Sequence, residues 1–207
     1  MKRTSLKSIE EYSEEEMAKL GLYGVCHVRR VRQLCIQLAK SQKGTVDSGI
    51  LEIAALLHDV AKHLEKTDNS VEHGKLSAEM SENFLRSIGF NEEKTRAICY
   101  AIRAHTLRGE LNSIEAKILH DADFLDKMGT VGIATVFLRA CMTNTTIEQT
   151  LQFWKNPSKQ SWVGLHMLWL HEPHFYTTSA VTLARRRNKI VPEFFKQLEK
   201  EIELQDT

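Results

Sequence analysis

The chain has 207 residues, 42% of them hydrophobic, enough to bury one sizeable core. Its 28 basic and 27 acidic residues leave a formal net charge of +1, which gives no electrostatic case for nucleic acid or an anionic membrane as a partner. A small phosphorylated ligand stays open, because it needs only a local basic patch.

The first twenty residues, "MKRTSLKSIEEYSEEEMAKL", contain no apolar run of the secretory kind, so a signal peptide is not expected. The three prolines stand at 157, 173 and 192, and spacings of three and four outnumber strict alternation. The pattern predicts an all-α protein, one domain over 1–207, with about eight helices. They fall at roughly 23–41, 49–65, 74–88, 92–106, 113–128, 130–142, 146–155 and 178–204. Asn91 before Glu92 and Glu93 reads as an N-cap with first-turn acids. Gly89 after "FLRSI" reads as a helix stop. Asn112 and Glu115 have capping-box spacing, and Pro192 should kink or split the last helix. "KNPSKQ" at 155–160 reads as a loop. "WVGLHMLWL" is too short to span a membrane. Cysteines 26, 35, 99 and 141 form no CxxC pair, which suits reduced, mostly structural thiols in a cytoplasmic protein.

Several polar residues interrupt apolar stripes. His27 shares a face with Val31, Leu34 and Leu38, and His105 extends the stripe of Ile98, Ala101 and Ile102. His73 heads a stripe through Leu76, Met80 and Phe84. His58 and Asp59 lie in "AALLHDVAKHLE", a segment apolar nearly all round. Asp121 joins Ile114, Ile118 and Leu125, while Asp123 lies beside Leu119 and Ala116. One histidine on an apolar face is most often a hydrogen-bonded core residue. Four helices each burying one, with aspartates between, are better explained by a shared divalent cation. It supplies the charge that a buried Asp59 needs, and neutral imidazole is a good ligand for it.

The order of these residues resembles the HD superfamily of metal-dependent phosphohydrolases. "HVRRV" at 27–31 is similar to that family's first histidine and its sequel. "AALLHDVAKH" resembles its central motif, and "EAKILHDADFLDKMG" at 115–129 the segment with its last aspartate. The tail, "FYTTSAVTLARRRNKIVPEFFKQLEKE", resembles the final helices of small bacterial members. The resemblance implies metal ligands at His27, His58, Asp59 and Asp123, whereas the apolar stripe points to Asp121 for the last. It offers His73 and His105 as ligands of a second ion or as a general acid, with Asp59 as the bridge between two metals.

Imidazole and carboxylate without thiolate suit one or two ions of Mn, Fe, Co, Ni or Zn, and the sequence does not choose among them. Arg30 and Lys62 lie one helical turn after His27 and His58, and with the resemblance they become candidate phosphate contacts. Their plain reading is a salt bridge for Arg30 and a solvated charge for Lys62. His63 could orient Asp59 or donate a proton, but an exposed last-turn histidine is its simpler reading. "RRR" at 185–187 reads as a solvated helix face, and His166, His171 and His174 as structural residues. The expected function is hydrolysis of a small phosphorylated metabolite or nucleotide through a metal-activated water. The alternatives are a dinucleotide polyphosphate hydrolase with a two-metal site, a di-iron oxygenase, and a non-catalytic metal- or nucleotide-binding module. Oligomeric state is open, a homodimer included.

Overall fold

The computed structural model describes residues 3–42, 44–65, 72–106 and 111–205, and among them there are twelve helices and no strand. They sort into two compact units, Met1–Asp123 and Phe124–Thr207. The first unit holds α1 (Arg3–Ala18), α2 (Leu22–Ala39), α3 (Ser48–Leu57), α4 (Lys62–Glu65), α5 (His73–Ser87), α6 (Glu92–Ala104) and most of α7 (Ile114–Leu125). None of the helices among the described residues is long and apolar enough to cross a membrane.

The core of this unit is built from apolar positions at helical spacing. Val31 and Leu38 of α2, Leu51, Ile53 and Leu57 of α3, Ile98 and Ile102 of α6, and Ile118 and Leu119 of α7 are all at most 2% exposed. Helix α3 packs on α1, α2, α5 and α6, which places its C-terminus among them. Arg32 of α2 ties the first three helices by pairing with Glu10 of α1 at 2.9 Å and with Glu52 of α3. Helix ends follow local chemistry. Asp47 accepts from the amides of Gly49 and Ile50 at the start of α3, and Asn91 accepts from Lys94 N at the start of α6, as its sequence predicts. Gly89 stops α5 with φ +67°, a conformation other residues adopt only with strain. At α7 the cap is Ser113, whose hydroxyl accepts from Ala116 N. Glu115 reaches away to the Asp47 amide instead of closing a box with Asn112.

The number of helices exceeds the expected eight for identifiable reasons. Helix α1 carries five glutamates over residues 10–16, and Ile9, Ser13, Glu16 and Met17 are its buried positions among the described side chains. The predicted helix over 49–65 is broken after Leu57. The predicted helix over 178–204 is split at Lys189, and Pro192 falls in the first turn of α12, where its missing N–H costs no helical bond.

The second unit holds α8 (Gly129–Met142), α9 (Ile147–Lys155), α10 (Trp162–His171), α11 (Thr178–Asn188) and α12 (Ile190–Ile202). Thr146 and Gln149 close a capping box at α9, and Ser161 caps α10, the segment "WVGLHMLWL". Asn188 accepts from the Gly129 amide and donates to the Leu170 carbonyl, joining α11 to α8 and α10. Gly132 permits a close approach: a Cβ there would lie 2.3 Å from the Lys127 carbonyl oxygen. The arginine run is only partly solvated. Arg187 is half-buried and donates to the Leu125 carbonyl at 2.7 Å, and burial lowers its pKa. His166 is buried and bonds the Lys127 carbonyl at 3.0 Å, and His171 bonds that of Trp154 at 3.0 Å while stacking on its ring, both structural roles.

Candidate metal centre

The centre starts from the break in α3. Backbone bonds from Val60 to Leu57 and from Lys62 to Asp59 close tight turns over 58–61, and the Ala61 amide is taken by the buried Ser77 hydroxyl at 3.1 Å. Neighbouring residues of a regular helix point about 100° apart. In the turn, His58 and Asp59 instead converge, with His58 Nε2 at 3.6 Å from Asp59 Oδ2.

The two oxygens of Asp59 face two different sets of donors. Oδ2 stands 3.6 Å from His27 Nε2 and 3.6 Å from His58 Nε2, and Asp123 Oδ1 lies 3.2 Å from the same His27 nitrogen and 3.9 Å from that of His58. Oδ1 stands 3.5 Å from His73 Nε2 and 3.6 Å from His105 Nε2. His27, His58, Asp59, His105 and Asp123 are all buried, and His73 is half-buried at the start of α5. Five helices supply the six side chains: α2 brings His27, the end of α3 brings His58 and Asp59, α5 brings His73, the end of α6 brings His105, and α7 brings Asp123.

Two of the rings are held by the same local device. His58 is the residue that ends α3, and its Nδ1 bonds the Ala55 carbonyl at 2.8 Å. His105 ends α6, and its Nδ1 bonds the Ile102 carbonyl at 2.6 Å. The His58 ring covers a carbonyl in the last turn of its helix, and the His105 ring shares the Ile102 carbonyl with the His105 amide. The bond puts the proton on Nδ1 and leaves the Nε2 lone pair aimed at the centre. Burial is the main cause holding the His58 pKa down to about 4, so this imidazole is neutral at pH 7. Burial alone would raise Asp59, but once acid charges the surrounding histidines they outweigh it, His58 foremost and then His105, His27 and His73, and keep the carboxyl well below the usual range.

A divalent ion fits these residues. His58 Nε2, Asp59 Oδ1 and His105 Nε2 are buried and have no hydrogen-bond partner among the described residues, an expensive condition unless something else binds them. Bonds of about 2.1 Å around one ion put neighbouring donors about 3.0 to 3.4 Å apart and opposite ones about 4.2 Å apart. The observed separations of 3.2–3.9 Å fall inside that span. Donor atoms of His27, His58 and Asp59 lie within 4.8 Å of one another, and so do those of Asp59, His73 and His105.

The remaining sequence-predicted residues divide. Asp123, not Asp121, meets the His27 and His58 donors. Asp121 is fully buried on the same helix, and with Asp123 it adds to the burial that raises the Cys35 thiol. Arg30 is half-buried on α2, one turn beyond His27. Lys62 leaves the His58 face for His73, its Nζ lying 3.0 and 3.2 Å from the two ring nitrogens. His63 is half-buried rather than exposed, with Nδ1 enclosed. The apolar stripe assigned to His73 is not the buried face of α5. Leu76, Met80 and Phe84 are half-buried, and Gly74, Ser77, Ala78, Ser81 and Leu85 form the buried side. Two supporting residues escaped the sequence reading: Ser77, which fixes the turn after Asp59, and His120, whose Nδ1 bonds the His105 carbonyl at 2.8 Å. The only available signal for His120 was its place in "HDAD".

The chain belongs to the HD-domain family, whose pattern matches residues 24–128 and whose members bind divalent metals. It is 30% identical over 184 residues to the uncharacterized protein YpgQ of Bacillus subtilis (strain 168), covering 85% of this chain and 82% of that one. The crystal structure of YpgQ in complex with ADP aligns with a TM-score of 0.69 at 25% identity, over 95% of this chain and 97% of that one. A predicted HD superfamily hydrolase from an uncultured Thermotogales bacterium aligns with a TM-score of 0.64 at 26% identity, over 97% and 99%.

Proposed function

We propose that this protein is a metal-dependent phosphohydrolase acting on a small phosphorylated metabolite or nucleotide, with two ion sites joined by Asp59. The observation that carries the reading is the division of labour at Asp59. One oxygen faces His27 and His58, the other His73 and His105. The presence of ADP in the YpgQ complex favours a nucleotide among the candidate substrates.

In this reading His27, His58, Asp59 and Asp123 hold the first ion, and Asp59, His73 and His105 hold the second. When bound, such ions lower the pKa of water towards neutrality and polarise a phosphoryl oxygen. The donor set of nitrogen and oxygen suits Mn, Fe, Co, Ni or Zn. Arg30 and Lys62 supply positive charge to substrate phosphate. His105 is a poor general acid, because its Nδ1 proton is committed to Ile102 and its Nε2 is buried. His73, half-buried, is the better candidate to protonate a leaving oxygen when the second site holds no ion.

The test is a phosphatase screen over nucleotides, dinucleotide polyphosphates and sugar phosphates, run on chelator-stripped protein reloaded with each metal. Release of orthophosphate or pyrophosphate that needs added metal and disappears in Asp59→Asn supports the reading. Metal binding without turnover of any phosphate compound refutes it in favour of a binding module, and dioxygen consumption by the iron-loaded protein refutes it in favour of an oxygenase.

A further inference from the structure

We propose that Lys62 sets the order in which the two clusters fill, holding the second ion back until substrate phosphate draws the lysine away. The inference rests on reading the two clusters as ion sites and concerns what separates them. Lys62 is the first residue of α4, fixed there by the backbone bond from its amide to the Asp59 carbonyl. Helix α4 packs on α5, whose first residue is His73. Lys62 Nζ consequently stands 3.0 Å from His73 Nδ1 and 3.2 Å from His73 Nε2.

The two ring nitrogens flank Cε1 on opposite sides. An ammonium nearly equidistant from both cannot lie in the ring plane without striking that carbon, so it lies over the ring face. His73 Nε2 stands 3.5 Å from Asp59 Oδ1, with the ammonium over the ring and not between those two atoms. Lys62 therefore leaves the second cluster's donors in place and adds a positive charge beside them.

An ion bound to His73 Nε2 at about 2.1 Å would lie at most about 5.3 Å from Nζ, given the 3.2 Å between Nζ and Nε2. A unit charge and a dication at that distance disfavour each other by at least tenfold in binding constant, even with the dielectric of water, and by more in a buried site. Lysine carries a compact charge on a long flexible stem, so it can swing to an incoming phosphate. Moving the charge removes the penalty. The second ion and the phosphate then strengthen each other's binding, and by linkage the effect is mutual.

The experiment is a calorimetric titration of the chelator-stripped full chain with Mn²⁺, with the bound metal counted by elemental analysis. It compares wild type, Lys62→Gln and Lys62→Arg, after circular dichroism has shown equal helix content in all three. The expected result is a second binding step tightened at least tenfold in Lys62→Gln, the first step unchanged, and Lys62→Arg close to wild type. Orthophosphate should tighten the second step in wild type and much less in Lys62→Gln. Wild type taking one ion while Lys62→Gln takes two also supports the proposal. A second step equal in wild type and Lys62→Gln, or equally tightened in both variants, overturns it and leaves the two-ion reading standing. A wild type that binds no ion overturns both.

Discussion

Replacing Asp59 with asparagine separates a metal-compensated carboxylate from a structural one. Asp59 is 7% exposed and has four imidazole nitrogens at 3.5–3.6 Å. Asparagine keeps the shape and removes the charge. An ion present at about 100 times its dissociation constant, binding only the folded state, adds about 2.7 kcal/mol. Unfolding entropy of about 2.1 cal/mol/K per residue gives about 0.43 kcal/mol/K for 207 residues, so each kcal/mol moves Tm by about 2.3 °C. Stripping one ion from the wild type should lower Tm by about 6 °C, and a second ion adds to that. Because Asp59 serves both clusters, Asp59→Asn should show a chelator shift of no more than about 2 °C, by the same conversion, with its helical signal intact. The assay is thermal melting followed by circular dichroism, on Mn²⁺-loaded protein with and without chelator. Wild-type melting that ignores the chelator, together with a large loss of stability in Asp59→Asn, would refute the reasoning. It would mean that the histidines alone balance the carboxylate.

Other outcomes are expected. In metal-free protein, His58 has a folded pKa of about 4 against an ordinary value of 6.5. Its lowered value means that the unfolded chain takes up the proton first, so stability is full above pH 6.5 and falls as the pH drops towards 4. The share lost between pH 8 and pH 5 is about 2 kcal/mol, and urea melts should show it in the wild type and not in His58→Gln. Ser113→Ala should cost about 1 kcal/mol and Asn112→Ala much less, because Ser113 is the cap of α7. Gly132→Ala should cost about 3 kcal/mol or prevent folding, since the new methyl meets the Lys127 carbonyl at 2.3 Å and backbone cannot move aside cheaply. A melt within about 0.5 kcal/mol of wild type would contradict that packing.

The sequence was most informative where one physical rule acted alone. The stripe of His27, Val31, Leu34 and Leu38 is buried throughout, and Asn91 caps α6 as its chemistry demands. It was silent where burial surrounds a helix. On α7 every residue from Ile118 to Leu125 is buried, so periodicity had no exposed face with which to separate Asp121 from Asp123. It misled where a tertiary partner decides. "AALLHDVAKHLE" contains no glycine or proline, yet the helix ends after Leu57, where the Ser77 hydroxyl accepts from the Ala61 amide and the Ser13 hydroxyl donates to the Leu56 carbonyl. Helix α1 hid its buried stripe because Ser13 and Glu16 stand among its buried positions, beside Ile9 and Met17.

The rings of His58 and His105 are each pinned through Nδ1 to a carbonyl three residues back on their own helix. A half-turn of either ring would break that bond, so the orientation of these two donors does not depend on an ion being there. Little rotational freedom is left for an arriving cation to freeze out, and exchanging one metal for another need not disturb the helices. The same rigidity fixes where each nitrogen stands at its own cluster. An ion that needs markedly longer or shorter bonds cannot shift the His58 nitrogen at one cluster or the His105 nitrogen at the other, so the ends of α3 and α6 each set a bond length for one of the two clusters.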